Sequence, residues 1–467
     1  MRRSTRLVIP AICLLWLVPS APGQQRFPPP EFEGDYRMPE TTTPPPRAQW
    51  RQVVDLGALV VALAAGAVLT LRVRRRGPIV ALSIICLAYF GFYRGGCVCP
   101  IGAIQNVAMA VFGAPYTVPW VVVGFFVLPL VAALLFGRTF CSAICPLGTA
   151  QDLVVLKPLR VPAWIDKPLS LLAWAYLAAA VVLAVTGSAM LICRYDPFVA
   201  IFRLVPVGTV LDAWARGDPA LNPWAISGRI DTLLLGGSFL LIGLFIARPY
   251  CRYFCPYGVL LGLLSRLSVW RVTVTPTQCI QCRLCENACP VGAIRTPTAE
   301  APGHLRTRGK AALALTLVLA GPIVLAAAWL GGQTGPTLAQ LHPTVALAER
   351  IRLENAGAVE GTTDESDAFR ATGRSADDLY GESDAIVGQF VGKWLAAGVP
   401  FGMAHLMGAF VGVVIALKLL AASIRRSRSD YEPDRADCVA CGRCFAYCPV
   451  EQARRNGTTV TIVEEEV

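Results

Sequence analysis

Long apolar segments separated by polar and charged stretches dominate the pattern of this chain. A helix needs about 20 apolar residues to cross a bilayer. Seven runs are candidates by this measure, and those at 78–93 and 231–247 are the weakest. The seven runs are 52–71, 78–93, 117–137, 168–192, 231–247, 311–330 and 394–421. Shorter apolar segments at 101–114 and 256–269 are expected to lie at the interface or to pack re-entrantly. The pattern predicts an all-α, multi-span membrane protein.

The N-terminus is typical of a secretory signal peptide over residues 1–23. Basic residues precede an apolar core at 7–18, and small residues at 21–23 offer a cleavage site. An uncleaved first anchor is the alternative. Residues 24–50 are rich in Pro and Thr, so they are expected to form an external, unpacked tail.

Composition and charge agree with a membrane protein and exclude several other classes. Of the 467 residues, 55% are hydrophobic and only 16% are charged, which is low for a soluble chain. The formal charge of +11 does not indicate nucleic-acid binding, because basic residues concentrate in the cytoplasmic loops of membrane proteins. With the mature N-terminus outside, most Lys and Arg residues fall inside. The predicted divisions are 51–247 membrane domain, 248–310 cytoplasmic, 311–330 span, 331–393 external acidic loop, 394–421 span and 422–467 cytoplasmic.

Two short cysteine runs carry the strongest chemical signal. Each has the form C-x2-C-x2-C-x3-C-P, and their cysteines are Cys279, Cys282, Cys285, Cys289, and Cys438, Cys441, Cys444, Cys448. Soft thiolates suit iron, and this spacing is that of bacterial ferredoxins with [4Fe-4S] clusters. A structural zinc site is the alternative, but zinc ribbons use cysteine pairs with a long spacer.

The two runs are expected to lie on the same, cytoplasmic side and to fold together as one small α+β ferredoxin module with two [4Fe-4S] clusters. In two-cluster ferredoxins the fourth cysteine of a run ligates the other cluster. One cluster would then use Cys279, Cys282, Cys285 and Cys448, and the other Cys438, Cys441, Cys444 and Cys289. Each run closing its own cluster is the alternative.

A second pattern, C-x3-C-P, repeats at the ends of two spans. Cys141 and Cys145 belong to the first copy, and Cys251 and Cys255 belong to the second. Residues four apart are neighbours on a helix, so each pair is expected to present two sulfurs on one helical face. Together the pairs would form a third iron–sulfur or redox site. Cysteines that act only as small hydrophobic side chains are the alternative.

A degenerate third copy contains Cys97 and Cys99, and it is expected to lie outside together with Cys193. These three cysteines could hold a redox metal, form a disulfide in the oxidising outer compartment, or serve only in packing.

The twin ferredoxin runs and the C-x3-C-P repeats resemble the membrane polyferredoxins. That family includes the nitrous-oxide-reductase maturation regulator and the quinol-oxidising subunit of periplasmic nitrate reductase systems. The resemblance covers roughly residues 90–300 and 394–455. It implies an inner-membrane electron carrier between the quinone pool, or a cytoplasmic donor, and a periplasmic acceptor. Only about 28 residues separate the signal from the first span, so the regulator's flavin-binding domain is not expected.

The sequence favours an electron-transfer subunit of an oxidoreductase system rather than a stand-alone enzyme. Its expected partners are the membrane, the quinone pool and a redox protein on either face. A redox-sensing regulator or assembly factor for a periplasmic metalloenzyme is the second hypothesis, and a transporter with structural clusters is the third. Clusters on the inner side cannot by themselves carry electrons across a hydrocarbon layer about 30 Å thick. Electron transfer across the membrane therefore needs a further relay.

Overall fold

The computed structural model describes most of the chain from residue 48 to residue 458. Residues within this range that are not described are 97–98, 113–117, 157, 160, 188–191, 193–195, 203–229, 275–278, 299–302, 360–362, 393–400, 425–427 and 429. The predicted signal peptide, nearly all of the Pro-rich tail, Cys97 and Cys193 lie outside the described residues.

The described chain is mostly helical. The helices of the membrane half are α1 (Gln49–Val68), α2 (Arg76–Cys86), α3 (Pro100–Phe112), α4 (Trp120–Phe136), α5 (Thr139–Ala143), α6 (Pro146–Val154), α7 (Ala163–Val185), α8 (Pro197–Phe202), α9 (Ile230–Gly243), α10 (Pro249–Tyr253) and α11 (Pro256–Ser265). Helices α1 and α2 continue as π-helical turns over Leu69–Val73 and Leu87–Tyr93.

The remaining elements follow the second C-x3-C-P block. They are α12 (Leu284–Ala288), β1 (Ile294–Arg295), α13 (Gly303–Gln333), α14 (Gly335–Ala339), α15 (Pro343–Asn355), α16 (Asp364–Ala371), α17 (Ala376–Val391), α18 (Met403–Ser423), β2 (Glu432–Pro433), α19 (Arg443–Tyr447) and α20 (Pro449–Asn456). Strands β1 and β2 pair antiparallel, with Ile294 opposite Pro433.

Among the described residues, five helices are long and apolar enough to cross a membrane, whereas the sequence predicted seven spans. They are Gln49–Val73, Arg76–Tyr93, Trp164–Val185, Gly309–Gln333 and Met403–Ser423. The predicted spans at 117–137 and 231–247 correspond to the shorter apolar helices Trp120–Phe136 and Leu234–Gly243. The chain is therefore a multi-pass membrane protein in which some apolar helices are shorter than a full crossing.

Helices α13 and α18 pack along each other at very short range. A β-carbon built on Gly408 would lie 2.2 Å from the carbonyl oxygen of Ala327, so only glycine permits this approach. Between them, the segment predicted as an acidic loop forms helices α14 to α17. Helices α15 to α17 have a small apolar core of their own, formed by Ala348, Ile351, Phe369 and Leu379.

Candidate functional site

The two ferredoxin runs pack against each other although about 150 residues separate them in sequence. Helix α12 of the first run contacts α19 of the second, and the strand pair joins the segments that flank them. This arrangement gives the two runs a small α+β module of their own within an otherwise helical protein.

The first of two pockets in this module is lined by cysteines from both runs. Three come from the first run and one from the second: Cys279, Cys282, Cys285 and Cys448. Apolar side chains of Val274, Ile280 and Tyr431 complete much of the wall. A set of four thiols around an apolar pocket suits an iron–sulfur group, because soft thiolates are its usual ligands.

The second pocket has the complementary composition. Three of its cysteines come from the second run and one from the first: Cys438, Cys441, Cys444 and Cys289. The backbone N–H of Ala293 donates to the sulfur of Cys289 at 3.3 Å. Such N–H···S bonds stabilise the anionic form of a sulfur ligand and tune the potential of a cluster that it holds.

Both runs turn through left-handed backbone positions on either side of their second cysteine. Gln281 and Arg283 flank Cys282 with φ values of 54° and 60°, and Ala440 and Gly442 flank Cys441 with 55° and 72°. Backbone in which left-handed residues alternate with ordinary ones directs successive N–H groups into a concave anion-binding surface, as at many iron–sulfur sites. The loop geometry therefore suits a thiolate-bound, negatively charged group.

Burial makes the thiols of the module hard to ionise. Burial raises the pKa of Cys285 to about 11 and that of Cys438 to about 12. Metal ions bind the thiolate, so loading these pockets releases protons. Over the part of the chain that the structure describes, no three His, Cys, Asp or Glu side chains have the spacing of a single metal ion.

The two C-x3-C-P blocks have the same local structure, which differs from the expected single helical face. Cys141 lies in the short helix α5, whereas Cys145 is the N-cap of α6; Cys251 and Cys255 occupy the same positions in α10 and α11. The proline after the second cysteine starts a new helix, because its missing N–H and fixed φ suit the first helical position. Each pair is therefore placed across a helix break.

The four cysteines of the two blocks nevertheless come together. Cys251 lies within electrostatic reach of Cys145, Cys255 and Cys141. Cys141 and Cys145 are buried, and the other two are partly buried. We call Cys141, Cys145, Cys251 and Cys255 the four-cysteine site.

The two blocks face each other in a crossed arrangement. A β-carbon on Gly148 would lie 2.8 Å from the Cys141 carbonyl oxygen and 3.6 Å from Arg248, while one on Gly258 would lie 3.3 Å from the Cys251 carbonyl oxygen and 3.2 Å from Arg138. Each arginine thus lies against the glycine of the other block. The equivalent contacts indicate approximate two-fold symmetry between the blocks.

The arginines of the blocks also connect the four-cysteine site to the ferredoxin module. Arg138 donates to the Ala436 carbonyl oxygen at 2.7 Å and interacts electrostatically with Cys141 and Cys255. Arg248 donates to the Cys141 carbonyl oxygen at 2.7 Å and interacts electrostatically with Cys441. Two buried cations therefore lie between the four-cysteine site and the second pocket.

Arg248 is held by a carboxylate that the sequence analysis did not single out. Its Nε donates to Asp152 Oδ1 at 2.9 Å, and its Nη2 also bonds Asp152. A fork of two parallel bonds fixes the orientation of the guanidinium. Arg138 and Arg248 could have been found from the sequence, because an arginine recurs three residues before the first cysteine of each block. Asp152 could not, because the second block has no carboxylate at the matching position.

Cys99 of the degenerate third copy follows the second span, Arg76–Tyr93, whose opposite end contacts Gly442 of the ferredoxin module. Its sulfur is 3.8 Å from Asp196 Oδ2, and the backbone N–H of Gly102 donates to it at 3.4 Å. Tyr250, which precedes Cys251, is within electrostatic reach of both Asp196 and Cys99.

The comparisons with known proteins agree with this chemistry. A model described as a 4Fe-4S binding domain matches residues 117–163 and 230–275, which contain both C-x3-C-P blocks. A second 4Fe-4S binding domain matches residues 272–295, which contain the first ferredoxin run.

Several curated proteins are similar to this chain over part of its length. YccM of Escherichia coli is 31% identical over 168 residues, which are 34% of this chain and 43% of YccM. The ferredoxin-type protein NapH of Escherichia coli is 26% identical over 41% of this chain and 59% of NapH. The regulatory protein NosR of Stutzerimonas stutzeri is 26% identical over 34% of this chain and 21% of NosR. The chain thus spans less than two thirds of each of these relatives. No solved structure matches.

Proposed function

We propose that this chain, which is similar to NosR and NapH, is a membrane polyferredoxin of their type. It would link quinol or a cytoplasmic donor to a periplasmic reductase or to the maturation system of that reductase. The names of two relatives, putative electron transport protein YccM and ferredoxin-type protein NapH, support iron–sulfur electron transfer as the activity. The observation that carries the proposal is the pair of pockets in the ferredoxin module, each lined by four cysteines drawn from both runs.

The proposed ligands of the first [4Fe-4S] cluster are Cys279, Cys282, Cys285 and Cys448, and those of the second are Cys438, Cys441, Cys444 and Cys289. When bound, such clusters accept and release single electrons. The residues of the chain supply the thiolates, the left-handed loops that direct N–H groups at them, and the apolar walls that limit water. Solvent access and hydrogen bonding to sulfur set the potential.

The four-cysteine site is the proposed third iron–sulfur site. Its support is the convergence of four thiols in a buried place with two cations, Arg138 and Arg248, beside them. Four thiolates around an iron–sulfur core carry net negative charge, and buried charge needs a nearby partner of opposite sign. The arginines provide that partner.

The proposed location is the inner membrane, with the ferredoxin module on the cytoplasmic side. The excess of Lys and Arg in the segments 138–167, 248–310 and 422–467 supports this orientation. The first ferredoxin run and residues 422–467 are proposed as cytoplasmic and 331–393 as external on the same basis. The block with Cys251 and Cys255, which was predicted at the start of the cytoplasmic segment 248–310, packs instead against the core of the membrane domain at 51–247. A quinol is the proposed donor or acceptor within the membrane.

Anaerobic purification in detergent, followed by iron and sulfide analysis and EPR of the reduced protein, tests the proposal. We expect about twelve iron atoms per chain if all three sites hold [4Fe-4S] clusters and about eight if only the ferredoxin pockets do. Stoichiometric zinc without iron would refute it. Quinol oxidation coupled to cluster reduction would identify the quinone pool as the partner.

A redox-sensing regulator is the second candidate function, and the similarity to a protein named regulatory protein NosR favours it. The rate of repeated reduction and reoxidation distinguishes an electron carrier from a redox sensor. A sensor needs only to change its oxidation state once per signal, whereas an electron carrier must be reoxidised by its partner at the rate of the pathway.

A further inference from the structure

The four-cysteine site lies alongside the spanning helices and not beside their ends. A β-carbon on Gly66, within the span Gln49–Val73, would lie 3.2 Å from Cβ of Ala143, between Cys141 and Cys145. Eight residues separate Gly66 from Arg74, where this span contacts the ferredoxin module. At 1.5 Å per residue the contact is about 12 Å from that end of the span.

The second span gives an independent measure of depth. Its first turn contacts the ferredoxin module, because a β-carbon on Gly442 would lie 3.1 Å from Ile79. Near its other end, a β-carbon on Gly91 would lie 3.1 Å from Cβ of Pro146, which directly follows Cys145. Fifteen residues of helix from Arg76 to Gly91 correspond to about 22 Å. The Cys145 end of the four-cysteine site is therefore deep within a hydrocarbon layer of about 30 Å.

Helix α6 connects these depths. It begins at Pro146, next to the four-cysteine site, and its Asp152 interacts electrostatically with Arg443 of the ferredoxin module. The helix thus runs from the module into the membrane domain. Helix α6 has nine residues, which are too few to cross the hydrocarbon layer, and this length is typical of a re-entrant helix.

Polar groups continue from the four-cysteine site away from the ferredoxin module. Tyr250 is 1% exposed, its hydroxyl has no hydrogen-bond partner among the described residues, and it is within electrostatic reach of Cys255, Asp196 and Cys99. Asp196 is completely buried. A buried unpaired hydroxyl costs free energy unless an ordered water or a bound group satisfies it.

We propose that the four-cysteine site is the intramembrane relay of this protein, which passes single electrons from the second pocket of the ferredoxin module to a one-electron acceptor of the opposite compartment, on the side where Cys99 and Asp196 lie. This inference rests on the proposed function. In the first step the cluster in the second pocket is oxidised by one electron and the centre in the four-cysteine site is reduced by one; in the second step that centre is reoxidised and the acceptor, ferricyanide in the test below, is reduced by one electron, with no bond made or broken. Arg138 and Arg248 hold the second pocket and the four-cysteine site next to each other, and Tyr250 lies within electrostatic reach of both Cys255 and Cys99.

Quinone-free proteoliposomes test the relay directly. The purified protein is reconstituted in vesicles that contain ferricyanide, dithionite is added outside, and bleaching of the enclosed ferricyanide is followed against protein-free vesicles. We expect the wild-type protein to bleach it and the double variant C145S/C255S to do so at least tenfold more slowly. The matched control is C86S, which replaces a buried cysteine of the second span that lies outside the four-cysteine site.

Iron analysis and EPR of the same samples separate failure of the relay from failure of the proposed function. The relay holds if C145S/C255S keeps both ferredoxin signals, loses the third signal and loses transfer. It is overturned if that variant transfers as fast as wild type, or if cluster-loaded wild-type protein transfers no faster than empty vesicles. Absence of iron from the wild-type protein would instead refute the proposed function.

A second measurement uses the wild-type protein alone and does not depend on the folding of a variant. A water-soluble dysprosium chelate speeds the spin relaxation of centres near the aqueous phase. We expect it to act on the ferredoxin signals and to leave the third signal almost unchanged. Equal acceleration of all three signals would overturn the intramembrane position.

Discussion

The guanidinium of Arg74 lies 3.1 Å from the Glu451 carboxylate, and both side chains are buried. Arg74 ends the first span in a left-handed conformation, and Glu451 lies in α20 directly after the last cysteine. Arg74 also donates to the carbonyl oxygens of Thr273 and Val274, and it stacks on Phe445. One span end is thus bound to segments adjoining both ferredoxin runs.

Replacing Glu451 with Gln is therefore expected to loosen the ferredoxin module from the membrane domain. Removing one partner of a buried ion pair leaves an uncompensated charge, at a cost of about 3–5 kcal/mol. The urea midpoint for loss of the visible iron–sulfur absorption should fall accordingly. The control is Arg295→Gln, which breaks an exposed pair with Asp437 in the same module and should cost less than about 1 kcal/mol. Equal effects of the two substitutions would contradict a special role for the Arg74–Glu451 pair.

In each pocket the fourth cysteine comes from the other run. This arrangement can be distinguished experimentally from one in which each run binds its own cluster. Cys279 and Cys448 line the same pocket, whereas Cys279 and Cys289 line different ones. The variant C279S/C448S should lose the iron of one cluster, about four atoms, and C279S/C289S should lose that of two, about eight. Iron analysis with EPR of the reduced proteins measures this. The opposite order would show that each run closes its own cluster.

The sequence was sufficient to predict the helical membrane architecture, because apolar runs long enough to cross a bilayer are readable without tertiary information. It was less informative for the two shorter apolar helices near 120–136 and 234–243. Their composition is that of a span, and only the observed helix bounds separate a full crossing from a shorter element. Within the segment 331–393 the amphipathic pattern near 375–392 favours a small packed cap and corresponds to α17, whereas the shorter helices α14 to α16 carry no comparable pattern.

The site was predictable where the spacing of cysteines carries the chemistry, as in the two ferredoxin runs. The depth of the C-x3-C-P blocks was not, because it depends on packing between Gly66 and Ala143 and between Gly91 and Pro146, residues far apart in sequence. The helix break at the second cysteine could have been anticipated from the following proline, which favours the first position of a new helix.

Removal of the Arg138 charge should lower the midpoint potential of the four-cysteine site. Reduction adds negative charge to this site, and a cation nearby favours the reduced form. At an effective dielectric constant of 20 a neighbouring unit charge contributes about 3 kcal/mol, so Arg138→Gln should shift the potential by on the order of −100 mV. Arg138→Lys retains the charge and should shift it much less. EPR-monitored redox titration measures both.

The exposed Arg266, at the end of α11, provides the control for that titration. Its charge is screened by water and salt, so Arg266→Gln should leave the potential of the third signal within a few millivolts of wild type. A shift for Arg266→Gln as large as that for Arg138→Gln would mean that net charge, and not the position of Arg138, governs the site.

The glycine after each Cys-Pro-x sequence is expected to be required for the four-cysteine site. In Gly148→Ala the new methyl group would lie 2.8 Å from the Cys141 carbonyl oxygen, a backbone atom, so the two halves of the first block must separate. We expect loss of the third EPR signal with both ferredoxin signals retained. Gly258→Ala should have a smaller effect, because its closest contact is the movable end of Arg138 at 3.2 Å. Gly237→Ala in α9, with no atom within 4 Å, is the matched control and should keep full iron content. A Gly148→Ala protein with all three signals would show that the blocks can bind their cofactor without this close approach.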